Sequence, residues 1–138
     1  MKVVINGCFG GFGLSEAATR AYWGRKGKQV FVESTRLFKS YFDDPMPPQF
    51  VLPEGEHFMK RDHPEYENYN KWYSAHSLFD REIRRNDLDL VAVVEELGAS
   101  ANGEYAKLKI VEIPDDVAWE ISEYDGNEYV YEQHRTWS

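Results

Sequence analysis

Four glycines within seven residues (Gly7, Gly10, Gly11 and Gly13) follow the apolar run Val3-Val4-Ile5 and lead into Leu14-Ser15. A β-prone segment, a glycine turn and a serine at a helix start together make an anion-binding geometry. Bare amides converge there, and glycine lets a ligand approach the backbone. On this reading Gly10, Gly11 and Gly13 admit a phosphate to the main chain, and Ser15 caps the helix whose amides meet it. Arg20 neutralises charge, while Phe9 and Phe12 flank the turn and Phe12 is placed to stack on a base. Arg84 or Arg135 completes the pocket, from this chain or from a second subunit. The segment is not a Walker loop, since no Gly-Lys-Ser/Thr closes it, and it does not fit the dinucleotide G-x-G-x-x-G spacing. The competing reading is a turn that lets Phe9 and Phe12 enter the core, and both stand at this point.

Other chemistry has less support. Cys8 near a helix start could be a nucleophile, but no motif selects a base among His57, His63, His76 and His134. A small side chain ending a strand is the plainer role, so no catalytic residue is assigned. One cysteine and four scattered histidines do not make a zinc spacing, and neither a metal nor a cofactor is expected. Arg81, Arg84 and Arg85 suit phosphate contacts, yet Asp80, Glu82, Asp87 and Asp89 surround them and favour salt bridging. Tyr66, Tyr69, Trp72 and Tyr73 would serve equally as a stacking platform, a core plug or a subunit contact.

The elements that must position these residues are partly legible. Residues 2–7 read as a strand buried on both faces. Ser15 is the N-cap of a helix over about 16–26, with Glu16 in its first turn, Arg25 and Lys26 in its last, and Gly27 as the stop. Residues 28–33 read as a second strand, related to the first by a parallel crossover or placed antiparallel. Residues 35–42 suggest a short amphipathic helix, and 43–48 are irregular because three prolines deny amides to a ladder. From Pro53 to Tyr73 no period emerges, which implies a long surface excursion. Leu90, Val93, Val94 and Leu97 follow helical spacing that Gly98 ends. Residues 105–113, then 117–122 and 129–132 around Asp125-Gly126, alternate as strands and a hairpin. Trp137 is expected to pack on this protomer or a partner. The expected fold is α+β: one small domain over 1–138, a mostly antiparallel sheet, and two to three helices packed on it.

Composition sets the outer bounds. A chain of 138 residues with 42% hydrophobic and 15% aromatic residues can bury a real core. A single cysteine fits a reducing compartment, no apolar run is long enough for a membrane span, and the opening residues are too short for a signal peptide. The expected location is the cytoplasm. Net charge is -8, which disfavours general nucleic-acid binding. Residues 1–42 nonetheless carry a net +5 and residues 43–138 a net -13. The glycine turn thus lies in the basic part, which either attracts a small anion or forms a solvated helix face.

Several stretches resemble a family of short bacteriophage and prophage proteins. They are Lys2 to Asn6 with Cys8-Phe9-Gly10-Gly11-Phe12 and Leu14-Ser15, then Leu90 to Gly98, Ala106 to Val117, Trp119 to Glu128, and His134 to Trp137. They cover roughly half of the chain, and 35–74 lies outside them. Phages carry small proteins that blunt bacterial defence, including sponges that hold cyclic nucleotide signals without cleaving them. The chain is similar to such sponges in size and acidity, and its basic glycine turn suits a phosphate. By that analogy it is expected to be a non-catalytic sponge for a small phosphate-bearing nucleotide, acting as a homodimer in an infected or lysogenic host. The alternative is an acidic phage protein that binds and inhibits a host protein, since residues 43–138 carry enough negative charge for that.

Overall fold

The structure is a computed structural model and describes residues 1–34, 39–56 and 58–133. Three α-helices and six strands make an α+β protein in which every strand pairing is antiparallel, in three two-stranded sheets among the described residues. The chain divides into two compact units, Met1–Lys26 with Asp80–Ser138, and Gly27–Phe79.

The first unit is built on β1 (Lys2–Asn6), whose Val3, Val4, Ile5 and Asn6 are all buried. Its partner is β4 (Leu108–Glu112), in the register Val4↔Ile110. Helix α1 (Glu16–Arg25) starts at Ser15, whose Oγ accepts from the Ala18 amide at 3.1 Å and so satisfies one otherwise orphaned donor. Helix α3 (Leu88–Leu97) starts at Asp87, which accepts from the amides of Asp89 and Leu90. Spacing places Leu90, Val91, Val93 and Val94 on the buried side of α3, against Ala18 and Tyr22 of α1 and Val4 of β1. Strands β5 (Trp119–Tyr124) and β6 (Asn127–Glu132) form the hairpin around Asp125-Gly126 that the sequence predicts.

One ion-pair group fastens the end of α1 to the start of α3. Tyr22 Oη donates to Asp87 at 3.0 Å, and Lys26 Nζ lies 3.0 Å from Asp87 and 2.9 Å from Asp89. Burial first, then the bond to Asp87, pushes the Tyr22 hydroxyl up to about 12. Burial would raise the Asp87 carboxyl, but hydrogen bonds from Lys26, the Leu90 and Asp89 amides and Tyr22 outweigh it and hold it low. A depressed carboxylate contributes stability above its unfolded pKa and loses it as pH falls through the folded one. We therefore expect Asp87→Ala to cost about 1–2 kcal/mol at neutral pH through loss of the cap and its partners. Urea melts at pH 7 and pH 3 would show the gap between Asp87→Ala and the parent closing in acid.

The second unit pairs β2 (Phe31–Ser34) with β3 (Lys39–Phe42) and adds a 3-10 turn at Pro48–Phe50 and helix α2 (Tyr66–His76). Three expectations change here. Residues 39–42 are a strand, not part of a helix, because Phe42 and Tyr41 pair with Phe31 and Val32; residues 35–38 lie outside the described set. The stretch from Pro53 to Tyr73 is not wholly an excursion, since α2 occupies its end. The first two strands also form no crossover, because β1 and β2 belong to different sheets. No helix among the described residues is long and apolar enough to cross a membrane.

Candidate functional site

The glycine turn holds its backbone against the chain's own backbone. A Cβ on Gly10 would lie 2.2 Å from the Tyr105 carbonyl oxygen, and one on Gly126 would lie 2.5 Å from the Gly11 nitrogen. A Cβ on Gly103 would lie 2.8 Å from the Gly13 carbonyl, and the Gly103 amide donates to that carbonyl at 2.9 Å. The party that glycine admits to the main chain is therefore the hairpin tip and the segment before β4. Gly11, at φ +119°, has nothing within 4 Å of the Cβ position.

Several donors at this corner are engaged by the protein itself. Leu14 N–H donates to Asp80 Oδ2 at 3.1 Å and Ser15 N–H donates to the Ala101 carbonyl at 2.9 Å. The Ser15 hydroxyl donates to the Ser100 carbonyl while capping Ala18. Arg20 pairs with Glu16 along the helix, and Arg25, Lys26 and Lys28 pair with Asp89, Asp87 and Asp43. With Lys2 on Glu95, five of the seven cations of residues 1–42 thus face carboxylates of the protein itself.

Asn6 organises the centre of the corner. Fully buried, it donates from Nδ2 to the carbonyls of Cys8 (2.8 Å) and Gly126 (2.7 Å) and accepts at Oδ1 from Lys107 N–H (2.8 Å). The Cys8 thiol lies 3.3 Å from Asn6 Oδ1 and 3.4 Å from the Tyr105 carbonyl oxygen, neither of them a base. Asn6 N–H donates to Glu128 Oε1 at 2.8 Å, and Glu128 also takes a two-pronged contact from Arg85 at 2.7 and 2.9 Å. The Arg85 guanidinium lies 3.5 Å from the centre of the Phe12 ring. Phe12 is packed partly into the core, as one sequence reading had it, whereas Phe9 is not: it is 66% exposed.

Phe9 belongs to an aromatic face. In the hairpin register Tyr131 faces Glu120, Tyr129 faces Ser122 and Tyr124 faces Asn127, so the three tyrosines share one side. Tyr124 is 76% exposed, Tyr129 56% and Tyr131 40%, and Phe9 meets Tyr124 edge-on with ring centres 6.4 Å apart. The other side of the hairpin carries buried Glu128 and half-buried Trp119, Ile121 and Val130. Residues 119–132 contain five acids and no lysine or arginine. Tyr131 Oη donates to Glu120 at 2.5 Å, and that bond raises the phenol's pKa.

The residues assigned from sequence thus separate. Phe9, Gly10, Gly11, Phe12, Gly13 and Ser15 lie together at the corner, Arg20 on the helix after it, and Arg84 is exposed elsewhere in the same unit. Arg135 lies outside the described residues, as does Trp137. Sequence reasoning did not anticipate Asp80, Arg85 and Glu128 as partners of the corner, nor the exposure of Tyr124, Tyr129 and Tyr131. The alternation of Tyr129 and Tyr131 with Glu128 and Val130 was the signal that the tyrosines share a side. No group of three or more His, Cys, Asp or Glu able to hold a metal occurs among the described residues. No family model, no curated protein and no solved structure matches the chain.

Proposed function

We propose that this chain is a non-catalytic interaction protein that docks an arginine- and lysine-rich segment of a partner protein on the aromatic face of the β5–β6 hairpin. The observation that carries this reading is the joint exposure of Tyr124, Tyr129 and Tyr131 on a hairpin with no cation of its own, with exposed Phe9 of the glycine turn against Tyr124. Exposed aromatic faces attract guanidinium groups, and the surrounding carboxylates select the sign of the partner. Self-association through this face would set carboxylate against carboxylate, which favours a different, basic partner. The resemblance to short phage proteins supports a bacterial host protein in that role.

The phosphate-nucleotide reading of the corner has a physical obstacle. Asp80 accepts from the Leu14 amide, so an incoming phosphate would face a like charge where the sequence offers it free donors. Calorimetry against cyclic nucleotides and ADP-ribose isomers is expected to show no heat; saturable binding would restore that reading.

Titration of the chain with a nona-arginine peptide at low salt is expected to show micromolar affinity. We expect binding to weaken about tenfold, roughly 1.4 kcal/mol, in Tyr129→Ser/Tyr131→Ser. Nona-lysine should bind several-fold more weakly, because it lacks the planar group that stacks on a ring. Affinity that ignores the tyrosine substitutions would reduce the interaction to charge alone and remove the face from the argument. Pull-down from bacterial lysate is then expected to yield one stoichiometric partner, and its loss with the same double variant ties that partner to the hairpin.

A further inference from the structure

The second unit contains a cavity of about 850 Å³, within the size range of small-molecule sites. Its residues all fall between Glu33 and Tyr73, so it is a property of that unit by itself. The walls are aromatic and pack on one another edge-on or tilted: Phe50 meets Tyr69 at 5.6 Å, Tyr69 meets Tyr73 at 5.7 Å, and Phe42 meets Tyr73 at 5.7 Å between ring centres. Phe50 and Phe42 are buried, which fixes that side of the wall. Met46 and Met59 add polarizable, adaptable surface. Val51 and Phe58 also line the space and are 63% and 67% exposed, an arrangement that leaves apolar surface for something to cover.

Among the described residues, the charged groups on the lining have one sign. Glu33, Glu54 and Glu56 contribute carboxylates, and no lysine, arginine or histidine is among the described residues that line the cavity. A phosphate or carboxylate ligand would meet repulsion there. A neutral apolar ligand would fill the walls and leave the carboxylates without a purpose in binding. A ligand with an apolar body and a fixed positive charge satisfies both, because tyrosine ring faces and carboxylates attract the same cation. We infer that this cavity is a binding site for a small hydrophobic organic cation, an amine or quaternary ammonium on an aromatic or aliphatic body. The inference is independent of the hairpin reading, since no residue is shared between the two.

The test uses the full chain and three probes of similar shape: benzyltriethylammonium, the neutral tert-butylbenzene and the anionic benzenesulfonate. Binding is followed by chemical-shift changes of the Tyr69, Tyr73 and Met59 signals. We expect saturation by the cation, affinity at least about tenfold lower for the neutral probe, and no binding of the anion. Glu54→Gln/Glu56→Gln alters two exposed side chains and is expected to weaken the cation about fivefold without loss of fold. Met59→Arg sets a tethered cation into the cavity and is expected to abolish binding of the probe. Equal affinity for the cation and its neutral counterpart, or no saturation by either, overturns the inference. So does cation binding that survives both the glutamate pair and Met59→Arg, because it would then lie elsewhere.

Discussion

Glu128→Ala is expected to destabilise the first unit by about 3–5 kcal/mol, among the largest effects of any single side-chain truncation in this chain. The magnitude follows from what is left behind. Glu128 accepts from Arg85 at 2.7 and 2.9 Å and from the Asn6 amide at 2.8 Å, and it is buried. Its removal strands a guanidinium whose side chain is only 18% exposed, together with a fully buried backbone N–H. Partial access of water to Arg85 sets the lower end of the range. Arg85→Met/Glu128→Leu removes both charges and should recover part of the loss, but not all, because the Asn6 amide still lacks an acceptor. Urea denaturation combined with hydrogen exchange at the Asn6 and Lys107 amides measures this in the unit concerned. A cost below about 1 kcal/mol would mean that water replaces the carboxylate and that the pair is a surface contact in energetic terms.

Gly126→Ala is the second large effect, expected to cost about 2–5 kcal/mol. Asp125 and Gly126 have φ of 51° and 85°, the left-handed pair that a tight hairpin turn requires. A side chain at Gly126 pays for that conformation by roughly 1–2 kcal/mol. The new methyl would also lie 2.5 Å from the Gly11 nitrogen and 2.8 Å from the Gly10 carbonyl carbon, backbone atoms that cannot rotate away, for about 1–3 kcal/mol more. Gly11→Ala makes the control, since Gly11 is also at positive φ but has open space around its Cβ position. The difference between the two melts isolates the close approach from the backbone strain. Equal losses would show that the hairpin tip and the glycine turn separate readily. Because Phe9 and Tyr124 lie across that junction, Gly126→Ala should also weaken nona-arginine binding.

The local parts of this fold were legible because local chemistry determines them. Ser15 and Gly98 bound their helices, Leu90 to Leu97 carries a clear period, and Asp125-Gly126 names its own turn. Helix α2 escaped because its N-cap, Glu65, makes no side-chain cap and because Tyr69, Trp72 and Tyr73, its inward side against Phe42 and Phe50, are aromatics that stay half-buried among polar and charged neighbours. Strand β3 escaped because Tyr41 and Phe42 suit a helix or a strand, and cross-strand pairing with Val32 and Phe31 decides the matter. At the corner, the glycines do announce a close approach, which is correct physics. What approaches is Gly126, 115 residues further along the chain, and nothing local to the turn identifies it. The Arg85–Glu128 pair has the same character: each residue looked like one more surface charge until the fold brought them together.

The division of the chain has a consequence for the order in which it can take shape during synthesis. Gly27–Phe79 is a continuous stretch, and its contacts are available as soon as it leaves the ribosome. The first unit is interrupted by that stretch, and β1 waits for β4 and then for the hairpin, over a hundred residues downstream. Until then Val3, Val4 and Ile5 form an uncovered sticky strand on the nascent polypeptide. Slowing translation anywhere between the codons for β1 and those for the hairpin should therefore lengthen that exposure and raise the demand for chaperones.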